Sequence, residues 1–130
     1  MIVLDSGAVR ALSKGHRGLQ LLVDKANASP FTHLVVPVLC LLAAEAEDEG
    51  AGLHVLSLPA VEVEPLDSMA AVTVAAIVRD GIGSQDTAHA LYAALPTGSR
   101  GAMHLILTAR EDDYPPGTVT VDINDDRLLG

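Results

Sequence analysis

The first seven residues constrain this chain more than any others. Met1-Ile2-Val3-Leu4 is an uninterrupted apolar run that stops abruptly on Asp5, with Ser6-Gly7 behind it. Consecutive apolar positions leave no face for water, so the run reads as a short strand buried on both sides, as in a parallel sheet. His33 to Val38, Met103 to Leu107 and Val119 to Ile123 read the same way, and Pro37 sits near a strand end, where its missing amide matters least. The intervening segments have helical spacing. Ala8 to Ala26 carries Val9, Leu12, Leu19, Leu22 and Val23, split into two short helices by Gly15 and Gly18. Leu39 to Glu49 is rich in good helix formers and is stopped by Gly50 and Gly52. Leu53 to Pro65 holds a helical turn and then the alternation Val61-Glu62-Val63-Glu64. Asp67 or Ser68 caps a helix to about Asp80, and Ser84 caps another to about Leu95. Strands alternating with helices predict an α/β fold: a single domain over residues 1–130, its mostly parallel sheet covered by helices on both faces.

Composition narrows the function. Hydrophobic residues make up 49% of the 130 but aromatics only 2%, so the core is aliphatic and aromatic stacking platforms for single-stranded nucleic acid are scarce. A net charge of −9 argues against tight, phosphate-driven binding and leaves two uses for the acids: gathering around a divalent cation or meeting a basic partner. No apolar run reaches the roughly 18 residues of a membrane span. The N-terminus meets an acid at once, unlike a signal peptide. Cys40 is the single cysteine, in an apolar run with no basic neighbour, and reads as core. These features together predict a cytoplasmic protein with no membrane partner.

In open α/β sheets ligands bind beyond the carboxyl ends of the strands, which makes the polar residues there informative. Asp5 closes the first strand, Asp112 and Asp113 follow the strand ending at Thr108, and Asp86 opens the helix capped by Ser84. Each has a plainer reading. Asp86 alone is an acid favoured by a helix N-terminus, and Asp112 and Asp113 alone are turn residues before Pro115-Pro116. Asp5 is harder to set aside, because a buried acid without a partner is costly. Together they predict a sparse carboxylate site suited to Mg²⁺ or Mn²⁺, hard ions that take oxygen ligands.

In order, Ile2-Val3-Leu4-Asp5-Ser6-Gly7-Ala8, then Gln85-Asp86-Thr87-Ala88-His89-Ala90, then Leu105-Ile106-Leu107-Thr108 with Asp112-Asp113-Tyr114, the chain resembles the PIN-domain family, including the VapC-type toxins of toxin–antitoxin pairs. The resemblance spans nearly the whole chain and implies a Rossmann-like three-layer sandwich that cleaves RNA with Mg²⁺ or Mn²⁺. It implies Asp5, Asp86 and Asp113 as metal-holding catalytic residues, with Ser6 and Thr108 orienting them. It also implies an antitoxin-like protein partner and a homodimer. Two positions depart from the family pattern. Arg110 stands two residues after Thr108, where the family often has an acid, and Ala43 stands six residues after Pro37, where its second acid usually lies. Glu45 and Glu47 are possible replacements, Glu47 one turn beyond Ala43, although a solvated helix end explains both. A guanidinium at 110 is expected to neutralise neighbouring carboxylates and weaken metal binding.

Other constellations are weaker. His16, His33, His54, His89 and His104 are scattered without zinc-ligand spacing. His89 stands three residues from Asp86, at the rim of the site or in a structural role. Asp122 reads as a strand-end residue. Gly81-Ile82-Gly83 lacks the rest of a phosphate-loop fingerprint, and no serine nucleophile elbow is present. A phosphate-accepting role for Asp5 needs a well-placed lysine, and Lys14 and Lys25 are the only two. Two functions remain: a PIN-type ribonuclease with a weakened metal site, and a catalytically silent PIN-like domain that binds another protein.

Overall fold

The computed structural model describes residues 1–96 and 103–128. Five strands form one sheet: β1 (Ile2–Leu4), β2 (Leu34–Pro37), β3 (Val61–Glu64), β4 (Leu105–Thr108) and β5 (Thr120–Asp122). Every neighbouring pair is parallel, in the order β3-β2-β1-β4-β5. The central runs are apolar for the reason their pattern suggests: Val3, Leu4, Leu34, Val36, Ile106 and Leu107 are all buried, with helices on both faces. The outer strand β3 instead alternates, and Glu62 faces solvent, a charge that blunts an otherwise open edge.

Among the described residues, six α-helices complete a three-layer sandwich: α1 (Ser6–Ser13), α2 (Arg17–Ala28), α3 (Val38–Glu47), α4 (Ala51–Leu56), α5 (Ser68–Arg79) and α6 (Gln85–Ala94). Gly15, at φ +84°, separates α1 from α2. Gly18 does not break the helix, contrary to the sequence reading. It lies inside the first turn of α2, where a Cβ would come within 3.2 Å of the Leu128 Cβ, so it is glycine for close packing. Pro37 ends β2 and starts α3 in extended backbone. Asp67, rather than Ser68, caps α5, its Oδ1 accepting from the Ala70 amide at 2.8 Å. The strand expected from Met103 begins at Leu105, and the last runs only from Thr120 to Asp122.

Chain order builds the sheet outward from β1 through β2 to β3, then returns to the far side of β1 for β4 and β5. The direction therefore reverses between β1 and β4. At such a switch point the connecting segments part, leaving a crevice above the carboxyl ends. Helix α3 packs against both α1 and α6 and supplies its far wall. No helix among the described residues is long and apolar enough to cross a membrane.

Candidate active site

A crevice of about 260 Å³ opens at that switch point. Asp5, Asp86 and Asp113 all line it, together with Thr108, Arg110 and the two α3 positions Ala43 and Glu47. Asp112 does not line it and lies in the neighbouring acidic hollow with Glu111 and Asp122.

Asp5 serves as both strand terminus and helix cap. Its backbone is extended, and its Oδ1 accepts from the Ala8 amide at 3.0 Å, which starts α1 directly off β1. Its Oδ2 accepts from the Tyr114 hydroxyl at 2.8 Å. Thr108, at the end of the adjacent strand, accepts from the Arg110 amide at 3.0 Å and bonds Asp5 through its side chain. Gly7 lets this junction close: a Cβ there would stand 3.2 Å from the Ala109 Cβ.

Asp86 arrives on the first turn of α6 and is stitched to the first strand's exit by Ser6, whose hydroxyl donates to Oδ2 at 2.8 Å. Ser84 occupies the N-cap position, as the sequence suggests, but makes no capping bond to the backbone. Its hydroxyl donates to Asp86 Oδ1 instead of accepting from a first-turn amide as a cap would. Asp113 sits in a short 3₁₀ turn, Glu111–Asp113, exposed at the lip.

The two inner acids titrate apart. Burial pushes Asp5 above the usual carboxylate range, outweighing its bonds from Thr108, Ala8 and Tyr114, and the charge of Asp86 adds to the rise. Burial acts on Asp86 too, but bonds from Ser84, Ser6 and the α6 amides leave it below that range. Asp86 thus carries the more secure charge and Asp5 is the easier to protonate, the pattern by which paired carboxylates divide roles. The Cys40 thiol is pushed well up by burial and by both acids, so it stays protonated and unreactive.

The remaining sequence candidates resolve as follows. Glu45 turns away from the crevice. Its carboxylate accepts from the amides of Gly50, Gly52 and Leu53 and thereby caps α4. Glu47 faces the crevice and pairs with Arg10 of α1. His89 is fully buried rather than at the rim, its Nδ1 accepting from the Leu39 amide at 3.3 Å. Arg110 corrects an expectation. It lines the crevice, but among the described residues its guanidinium forms no ion pair, so it does not neutralise Asp112 or Asp113. Asp122 ends β5 and accepts from the Asn124 amide. Sequence reasoning assigned no role to Tyr114 or Arg10. Tyr114 was marked only by being a rare aromatic in an aromatic-poor chain, directly after the acidic turn.

Hard oxygen donors suit Mg²⁺ or Mn²⁺, and Mg²⁺ commonly binds through one or two carboxylates plus substrate phosphate and water. A carboxylate offers about four lone-pair directions. Asp86 spends two on Ser6 and Ser84 and is bonded by the α6 amides as well, and Asp5 spends three on Ala8, Tyr114 and Thr108. Few directions stay open on either, and Asp86 is the more accessible of the two. Among the described residues, however, no three His, Cys, Asp or Glu side chains are grouped to hold a metal. The donors fit an open two-carboxylate site and do not fit a full protein cage. Family models and curated proteins give no match to this chain.

Proposed function

We propose that this protein is a PIN-type, Mg²⁺- or Mn²⁺-dependent ribonuclease with a reduced metal site. The observation that carries the reading is the pairing of Asp5 and Asp86 at the sheet's switch point with no cationic side chain among the described residues bonded to either. Two carboxylates left facing each other repel, and a divalent ion between them relieves that cost. Asp5 and Asp86 would hold the ion, with Asp113 at the lip. Bound there, such an ion makes a water more acidic and offsets charge on the scissile phosphate. Ser6 and Ser84 fix the Asp86 carboxylate, while Thr108 and Tyr114 fix Asp5, so neither acid must reorganise. Arg110, without an ion pair among the described residues, would contact an RNA phosphate.

A second reading is a silent PIN-like domain that binds a protein partner, as an antitoxin would be bound. Ala43 and the heavily satisfied Asp5 favour it. So does a groove between α3 and α4, lined by Val38, Leu41, Leu42, Leu53 and Leu56, which would seat the apolar face of a partner helix.

Calorimetric titration with Mn²⁺, followed by cleavage assays on single-stranded RNA, separates the two. The nuclease reading expects saturable binding and cleavage, both lost in Asp5→Asn and Asp86→Asn. No saturable binding, or cleavage that survives both substitutions, would sink it.

A further inference from the structure

Helix α3 presents Ala43 to the crevice, where the resemblance implies another acid, and Glu47 lies one turn further on the same face. Among the described residues, Glu47 is held by one ion pair: its Oε2 stands 3.3 Å from Arg10 Nη1. That pair is exposed, with the Glu47 side chain 63% accessible, so it is weak. Arg10 is held far better elsewhere, its Nε donating to Asp48 Oδ2 at 2.8 Å. Lys14 also reaches Asp48 Oδ2, at 3.3 Å, so Asp48 keeps a cation even without Arg10.

Resting on the metal-site reading above, we infer that Glu47 is the crevice's third carboxylate ligand and that Arg10 is the positioning residue that withholds it. Arg10 reaches from α1 across to α3 and turns Glu47 toward itself, which accounts for a crevice lined by three acids and Glu47 yet lacking, among the described residues, a grouped ligand set. A cation between Asp5 and Asp86 competes with Arg10 for Glu47. Release is inexpensive because the Arg10–Asp48 bond survives it. In place of the acid that the resemblance implies at 43, the chain would use one that engages only when a cation arrives.

The test is a double-substitution cycle read by Mn²⁺ binding to the full chain, with MnCl₂ as the probe and calorimetry and Mn²⁺ EPR as readouts. Arg10→Gln should tighten Mn²⁺ binding about threefold or more, and Arg10→Gln with Glu47→Gln should lose that gain. Thermal melts check that the variants are folded. Tightening that persists in the double variant means a general charge effect and overturns the inference, as does no tightening in Arg10→Gln. Failure of the inference alone is recognised when Asp5→Asn and Asp86→Asn abolish Mn²⁺ binding but the cycle is flat. If binding ignores Asp5 and Asp86 as well, both readings fall.

Discussion

Asp5 illustrates how a residue can be kept at the expense of stability. Its carboxyl titrates higher in the folded chain than its ordinary value of 3.8, because burial disfavours the charged form. The unfolded chain therefore loses that proton first as pH rises. The destabilisation appears above pH 3.8 and is complete once the folded group has also ionised. Asparagine keeps the Oδ1 acceptor for the Ala8 amide and is an equally good helix cap. In chelated buffer at pH 7, Asp5→Asn should raise Tm by ~4 °C, corresponding to about 1 kcal/mol, the scale on which relieved active-site strain is returned. At pH 3 the gain should vanish. Asp86 is displaced downward, so Asp86→Asn should lower Tm at pH 7. Scanning calorimetry on the two variants checks the contrast, and a fall in Tm for Asp5→Asn at pH 7 would show that its hydrogen bonds outweigh its burial. Tyr114, which supplies one of those bonds, could not have been found from the sequence, because a tyrosine before Pro115 gives no sign that its hydroxyl reaches the first strand.

At the scale of elements, the strand–helix alternation was legible because each wholly apolar run had a single physical explanation. Asp5 and Asp86 were legible as strand-closing and helix-opening acids for the same reason. The outer strand β3 showed only as an extended alternation, since an edge strand needs just one apolar face. Glu45 and Glu47 could not be separated, because both lie on the polar end of α3. What divides them is the fold of the following loop, which offers Glu45 three amides, and the approach of α1, which offers Glu47 an arginine. The α3–α6 contact depends on another such cross-chain bond. His89 accepts from the Leu39 amide near the start of α3, and burial pushes its imidazole below the ordinary value of 6.5. Protonation in the unfolded chain near that value is not matched in the folded one. Stability is therefore full above pH 6.5 and falls as pH drops toward the folded value, with a slope of at most ~1.4 kcal/mol per pH unit for one proton. Denaturant melts between pH 7.5 and 5 should show this loss, and His89→Gln, which retains an acceptor for Leu39, should flatten it. A slope unchanged in the variant would place the linkage on another group.

For the whole molecule, the −9 charge and the crevice make opposing demands on RNA. Arg10 and Lys14 are engaged by Asp48 and Glu47, and Arg127 by Asp125, which leaves Arg110 as the crevice guanidinium without an ion pair among the described residues. On the proposed ribonuclease reading, affinity would come from the crevice, because a surface of net charge −9 gathers phosphates poorly. Each phosphate neutralised on a single strand contributes roughly −0.7 to the slope of log affinity against log salt. With one or two such contacts, raising salt from about 50 to 200 mM should weaken single-stranded RNA binding only roughly 3- to 7-fold, where a basic protein making 6–10 contacts on duplex DNA loses about 10³ or more. Arg110→Gln should reduce the slope by about 0.7 and leave Mn²⁺ binding intact, because the arginine touches neither inner carboxylate. Fluorescence anisotropy with Asp86→Asn as the non-cleaving background measures both quantities. A hundredfold loss over that salt range would mean that RNA lies along a basic surface outside the crevice, and an unchanged slope in Arg110→Gln would remove that residue from the RNA path.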